Sequence, residues 1–173
     1  MIPALPWFSL VLSWCCTEKD YLAVVYGRVN VARGEIDLRL GRDRGDRRRV
    51  VGSATVGMAS LTRFERLARV AAPGAGLSLL RCRLATGRTH QIRVHLAARG
   101  WPLVGDPVYG EPRWSQIADP RLAATLRAFP RQALHAWRVG MIHPATGAAL
   151  EIEAPVPDDL RELLQVSGLS RSG

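Results

Sequence analysis

Leu77–Gly100 reads LSLLRCRLATGRTHQIRVHLAARG, and this stretch decides the fold class. Its first part predicts a strand. Leu80, Cys82 and Leu84 alternate with Arg81 and Arg83, the two-residue period of a half-buried strand. Thr86-Gly87-Arg88-Thr89 then reads as a turn, with Thr89 placed to cap a helix. QIRVHLAAR continues that helix, with Ile92, Leu96 and Arg99 on one face and His95 beside them. Gly100 is its expected stop.

The flanking sequence extends the pattern. Tyr21–Gly27, YLAVVYG, is aromatic and β-branched and ends on glycine, as strands do. Gly34–Leu40, GEIDLRL, alternates apolar and charged residues as one further strand. Gly41–Arg49, GRDRGDRRR, reads as a polar loop carrying Arg42, Arg44, Arg47, Arg48 and Arg49. Downstream, WPLVGDPVYG, Trp101–Gly110, reads as an irregular loop. Asp119-Pro120 caps a short helix to about Ala128. LHAWRVGMIHP predicts a strand pair or bent strand, Leu150–Ala154 another strand, and Pro157 opens a helix with acids in its first turn. Strands and helices mix without regular βαβ units. The expected class is therefore α+β, a largely antiparallel sheet flanked by helices.

Charge narrows the partners. The chain has 173 residues, 24 Lys+Arg against 15 Asp+Glu, and a net charge of +9. Lys19 is the one lysine among those 24. An excess of this size suits a polyanionic partner, and arginine forks bind phosphates bidentately and stack on bases, which favours RNA or DNA over a membrane surface. Ile2–Cys16 is apolar, but it is too short for a membrane span and is broken by Pro3 and Pro6. Cys15, Cys16 and Cys82 form no disulfide framework, which suits a reducing cytoplasm.

Several chemistries find no support. There is no GxxxxGK[ST] and no GxGxxG after a strand, so no nucleotide cofactor is expected. His90 and His95 are five apart, not the four of a zinc-binding helix, and no CxxC occurs, so no metal is expected. No GxSxG marks a serine nucleophile. What remains is the Gly-Arg-Thr turn. At a helix N-terminus it offers backbone N–H groups, a positive dipole end and a guanidinium to an anion such as a phosphate.

TGRTHQIRVHLAARGWPLVGDPVYG, Thr86–Gly110, resembles the third motif of the RluA-type RNA pseudouridine synthases. KDYLAVVYG, Lys19–Gly27, resembles the family's second motif, and GEIDLRLGRDRGDRRR the strand and loop that follow it. GMASLTRFERL, Gly57–Leu67, resembles the strand before the third motif. RQALHAWRVGMIHPATG and EAPVPDDLRELL resemble the C-terminal end. The likeness runs from about Lys19 to Leu164. It implies the pseudouridine synthase catalytic-domain fold, isomerisation of uridine in structured RNA, and no metal or organic cofactor. The target nucleotide is flipped into a pocket, as for other enzymes that work on a base.

By that resemblance Tyr21 falls on the active-site tyrosine. Arg93 falls on the arginine that ion-pairs with the catalytic aspartate. Thr86 to His90 would line the same cleft, with Gly87, Arg88, Thr89, His90 and Gln91 expected to bind RNA, and the charge run itself adds Arg42, Arg47 and Arg48 as phosphate contacts. The family carries its nucleophilic aspartate in a histidine-arginine-leucine-aspartate run upstream of the second motif, and this chain has no such run. The expectation is a partial catalytic domain over 19–165 in the cytoplasm, inactive alone and completed by a missing N-terminal half. Residues 1–18 are expected to be an unmatched segment from a misread start, and 166–173 a flexible tail. The alternatives are a non-catalytic RNA-binding remnant or a decaying gene fragment.

Overall fold

The computed structural model describes residues 18–46, 49–70, 76–110 and 112–170. The expectations for the N-terminal segment up to Thr17 and for Arg47 and Arg48 lie outside the described residues. Among the described residues eight strands and three α-helices follow in chain order: β1 (Glu18–Tyr26), β2 (Arg33–Asp37), β3 (Arg39–Arg42), β4 (Val50–Ser53), β5 (Leu61–Val70), β6 (Leu77–Leu84), α1 (Gln91–Ala98), α2 (Pro120–Ala128), β7 (Leu134–Ile142), β8 (Ala149–Glu153) and α3 (Asp158–Val166). Six strands form one sheet in the order β2-β5-β6-β1-β7-β8, and β3 and β4 form a separate hairpin. Each of these pairings is antiparallel, as the α+β reading expects.

β1 sits inside the sheet because LAVVY is apolar on both faces. Leu22, Val24 and Tyr26 join Leu77 and Leu79 in a core roofed by Leu122 and Leu126 of α2 and Leu160, Leu163 and Leu164 of α3. Ala23 and Val25 join Leu80, Cys82 and Phe64 in a second core roofed by Ile92 and Leu96 of α1. One strand thus nails two hydrophobic layers together, and apolar burial of this kind dominates stability. At the far edge β8 is exposed along its whole length, with Leu150 39% and Ile152 61% accessible.

Local chemistry closes the helices. Asp119 Oδ1 accepts from the backbone N–H of Arg121 and Leu122, capping α2 behind Pro120 as expected. α3 ends on Gly168, at φ 70°, whose N–H donates to the Gln165 carbonyl while Leu169 N–H donates to Leu164. That is a Schellman closure, and it folds Leu169 into the core at 0% exposure. The ordered chain therefore reaches at least Ser170, past the boundary expected at 165.

Two further expectations are corrected. GEIDLRL is not one strand: it breaks at Leu38, with β2 joining the large sheet and β3 the hairpin. The loop expected over 41–49 is shorter, because Gly41 and Arg42 pair with Val51 and Val50. The break at Leu38 has a physical cause. The Ser60 hydroxyl donates to the Leu38 carbonyl, and His95 Nε2 lies 3.0 Å from Ser60 Oγ and 3.1 Å from that carbonyl. With the hydroxyl proton spent on Leu38, Nε2 must carry the imidazole proton. His95 is fully buried and its Nδ1 has no hydrogen-bond partner among the described residues.

Burial pushes the His95 pKa below its usual 6.5, against the opposing pull of the Leu38 carbonyl and Asp37. A second proton would place a charge and an unmet donor in the interior. The folded state thus binds fewer protons than the unfolded chain, so stability is complete above about pH 6.5 and falls as pH drops below it. Thermal melts from pH 7.5 to 5 should show this decline, and His95→Gln should make it shallower, leaving the share owed to His90, whose pKa is also lowered. A slope unchanged in the variant would remove His95 as its source.

Candidate functional site

The turn between β6 and α1 is built by Gln91. Its Oε1 accepts the Thr86 hydroxyl at 2.8 Å and the Arg88 N–H at 3.0 Å. Its Nε2 donates to the Leu61 carbonyl at 3.0 Å and Thr62 Oγ1 at 3.1 Å. The amide is saturated and the residue is 2% exposed, so Gln91 shapes the cleft and is not free to contact RNA. This corrects the expectation for that residue. Thr89 does not cap α1 either. The cap position is His90, with no side-chain cap and a left-handed φ of 56°. Among the described residues it is the one non-glycine with positive φ. Such a backbone is tolerated only where surrounding contacts enforce it.

Gly87, Arg88 and Thr89 stand exposed above this base. The Arg88 guanidinium has no partner among the described residues. It is therefore free for an anion arriving from outside.

Arg93 is not free. Its Nε and Nη2 donate to the two carboxylate oxygens of Asp106 at 2.8 and 2.7 Å, a bidentate pair with side-chain exposures of 11% and 1%. Asp106 Oδ1 also accepts the N–H of Val108 at 2.9 Å and of Tyr109 at 3.1 Å. Burial pushes the carboxyl pKa up, but the Arg93 fork and the two backbone N–H groups outweigh it and hold Asp106 below the usual carboxylate range. The GDPVYG loop closes tightly around this carboxylate. A Cβ on Gly110 would strike the Asp106 carbonyl, and one on Gly105, at φ 68°, the Arg131 carbonyl.

Tyr109 occupies the space between loop, helix and hairpin. Arg93 lies over its ring at 4.9 Å and Arg49 at 5.9 Å. Its hydroxyl is 3.0 Å from His90 Nδ1 and accepts the Val50 N–H at 2.9 Å. Sequence reasoning quoted Tyr109 within a motif and gave it no role. Its partners are 19 and 59 residues away, beyond any local spacing rule.

Tyr21 is half-buried on the α1 face of the sheet. It pairs with Cys82 on β6, and β6 runs on from Cys82 through Leu84 toward Thr86. At roughly 3.3 Å per residue the turn begins about 13 Å along the strand. Asp20, on the opposite face, is 2% exposed. It accepts from Arg83 at 2.8 and 3.1 Å and from Arg138 at 2.9 Å. The β1–β7 register shifts between Asp20 and Tyr21. Arg42, Arg44 and Arg49 are exposed on the hairpin.

A family model described as RNA pseudouridylate synthase matches residues 15–98, from the start of β1 through α1. The chain belongs to the RluA-type family of RNA pseudouridine synthases. It is similar to ribosomal large subunit pseudouridine synthase D of Nitrosomonas europaea, with 42% identity over 86% of this chain and 40% of that protein. The same-named protein of Pseudomonas aeruginosa is 43% identical over 86% of this chain and 45% of that one. Among solved structures, human RNA pseudouridylate synthase domain containing 1 superposes with a TM-score of 0.65 at 29% identity, over 85% of this chain and 57% of that one. The chain spans less than half the length of these curated relatives.

Asp106→Asn would leave the Arg93 charge with a neutral partner in a site where both side chains are almost wholly enclosed. Removing one member of a buried pair costs on the order of 3–5 kcal/mol. Chemical denaturation should show a loss of that size for the variant. A loss below about 1 kcal/mol would mean that this pair does not hold the loop.

Proposed function

We propose that this chain is the larger part of the catalytic domain of an enzyme that isomerises uridine to pseudouridine in structured ribosomal RNA, working in the cytoplasm. The observation that carries this reading is the placement of Tyr21 on the sheet face that also seats α1, below a turn whose exposed Arg88 guanidinium has no partner among the described residues. Tyr21 supplies the ring against which a flipped uracil stacks. Arg88 and the exposed hairpin arginines Arg42, Arg44 and Arg49 hold RNA phosphates. Arg93 acts through Asp106, fixing the loop that borders the cleft. The names of the relatives support a large-subunit ribosomal RNA as the substrate class.

The nucleophile has to come from elsewhere. The aspartate beside Tyr21 is Asp20, spent on Arg83 and Arg138, and the aspartate beside α1 is Asp106, spent on Arg93. Asp20 is shared between two arginines of neighbouring strands, and Asp106 also takes two backbone N–H groups of its own loop, so both carboxylates are committed to holding structure. The chain alone is thus an RNA-binding scaffold, and turnover requires a segment that brings a free aspartate to Tyr21.

The test is tritium release from large-subunit ribosomal RNA labelled at uridine C5. The chain alone should give no release but should bind that RNA, with affinity falling steeply as salt rises. Adding the separately produced N-terminal half of the Pseudomonas aeruginosa relative should restore release. Release by the chain alone would show that the nucleophile is already present, and salt-independent or absent RNA binding would remove the RNA reading.

A further inference from the structure

The β3–β4 hairpin belongs to a different sheet from Tyr21 and α1, yet it carries the exposed Arg42, Arg44 and Arg49. A basic arm grips a nucleic-acid backbone productively only if its position relative to the cleft is fixed, since ordering it on binding subtracts from affinity. Leu40 ties β3 to Met58, and Tyr109 is the side chain that ties β4 to the α1 side of the cleft. The phenol oxygen accepts the Val50 N–H at the first residue of β4, and its own proton is free for His90 Nδ1 at 3.0 Å. This arrangement satisfies donor and acceptor together when His90 is neutral with its proton on Nε2. Burial and the Arg93 charge both push the His90 pKa down, against the nearby Asp106, which favours that form.

Tyr109 is itself immobilised. Its N–H is held by the Asp106 carboxylate, and its ring lies under the Arg93 guanidinium that the same carboxylate orients. On the hairpin side Arg49 lies over the ring and donates from Nη2 to the Val108 carbonyl at 3.4 Å. The circuit Asp106–Arg93–Tyr109–Val50 thus runs from α1 to the hairpin, with His90 as a side branch at the strained residue of the turn.

We propose that Tyr109 is a positioning residue for RNA binding: its hydroxyl latches the arginine hairpin to the Arg88 turn, so that the two grip the phosphodiester backbone as one clamp. This rests on the RNA-binding reading above. Tyr109→Phe is the discriminating variant, because it keeps the ring and both cation–π contacts and deletes only the two hydroxyl bonds.

The first measurement is amide hydrogen exchange, which needs no RNA. Val50 should exchange at least about tenfold faster in Tyr109→Phe while the α1 amides keep their protection, since a lost bond worth about 1.4 kcal/mol is a factor of ten in an opening equilibrium. Unchanged protection at Val50 overturns the latch. The second is fluorescence anisotropy with a labelled RNA stem–loop across a salt series. Tyr109→Phe should bind several-fold more weakly, with a shallower salt slope. The double variant Arg42→Gln/Arg44→Gln should weaken the wild type more than it weakens Tyr109→Phe, because the arms act together only while latched. Strictly additive losses overturn the positioning role and leave RNA binding intact. Failure of the wild-type chain to bind the stem–loop at any salt overturns the RNA reading and this role with it.

Discussion

The Arg93–Asp106 pair holds the functional end of the molecule together. Both groups are charged and nearly enclosed, a situation that is costly unless each finds its full set of partners. The fork supplies two bonds between them, and the N–H groups of Val108 and Tyr109 add two more to the carboxylate. Once the carboxylate is fixed, the GDPVYG loop has one way to run. Tyr109 is then aimed at the hairpin, and α1 cannot rotate without breaking a buried ion pair. The basic residues that face solvent inherit their positions from this acid, whose own charge never reaches the surface.

Much of the fold was legible because it rests on short-range periodicity. The LAVVY run, the Leu80-Cys82-Leu84 alternation, the Asp119-Pro120 cap and the acidic start of α3 each carry their signal within a few residues. The features that escaped depend on contacts distant in sequence. GEIDLRL keeps a two-residue period straight through Leu38, so nothing local marks the break made there by Ser60 and His95. Thr89 has the right chemistry for a cap, but the Gln91 N–H it would accept donates instead to the Arg88 carbonyl, and the helix starts from His90.

The site was legible in part for the same reason. The Gly87-Arg88-Thr89 turn could be read as an anion site from its own residues. Arg93 could be recognised as an arginine with a carboxylate partner, but which carboxylate is a matter of three-dimensional closure across 13 residues. Its partner Asp106 read as a loop residue, which it is, and as the anchor of the loop only once the geometry was known. Tyr109 and Val50 are 59 residues apart, and no pattern joins them.

Asp20 has a role in folding that follows from β1 being apolar on both faces. Strand register is ordinarily policed by alternation, because a slip of one residue drives polar side chains into the core. Leu22-Ala23-Val24-Val25-Tyr26 offers almost no such penalty, for either face would find apolar neighbours after a slip. Asp20 supplies the missing penalty. In the native register its carboxylate falls between Arg83 on one neighbour and Arg138 on the other. Shifted by one residue, it would enter the layer beneath α1, away from both guanidinium groups, and Tyr21 would leave that layer for the α2–α3 side. A single buried charge thus acts as an index mark for the strand, and the face on which the tyrosine emerges is decided by its neighbour.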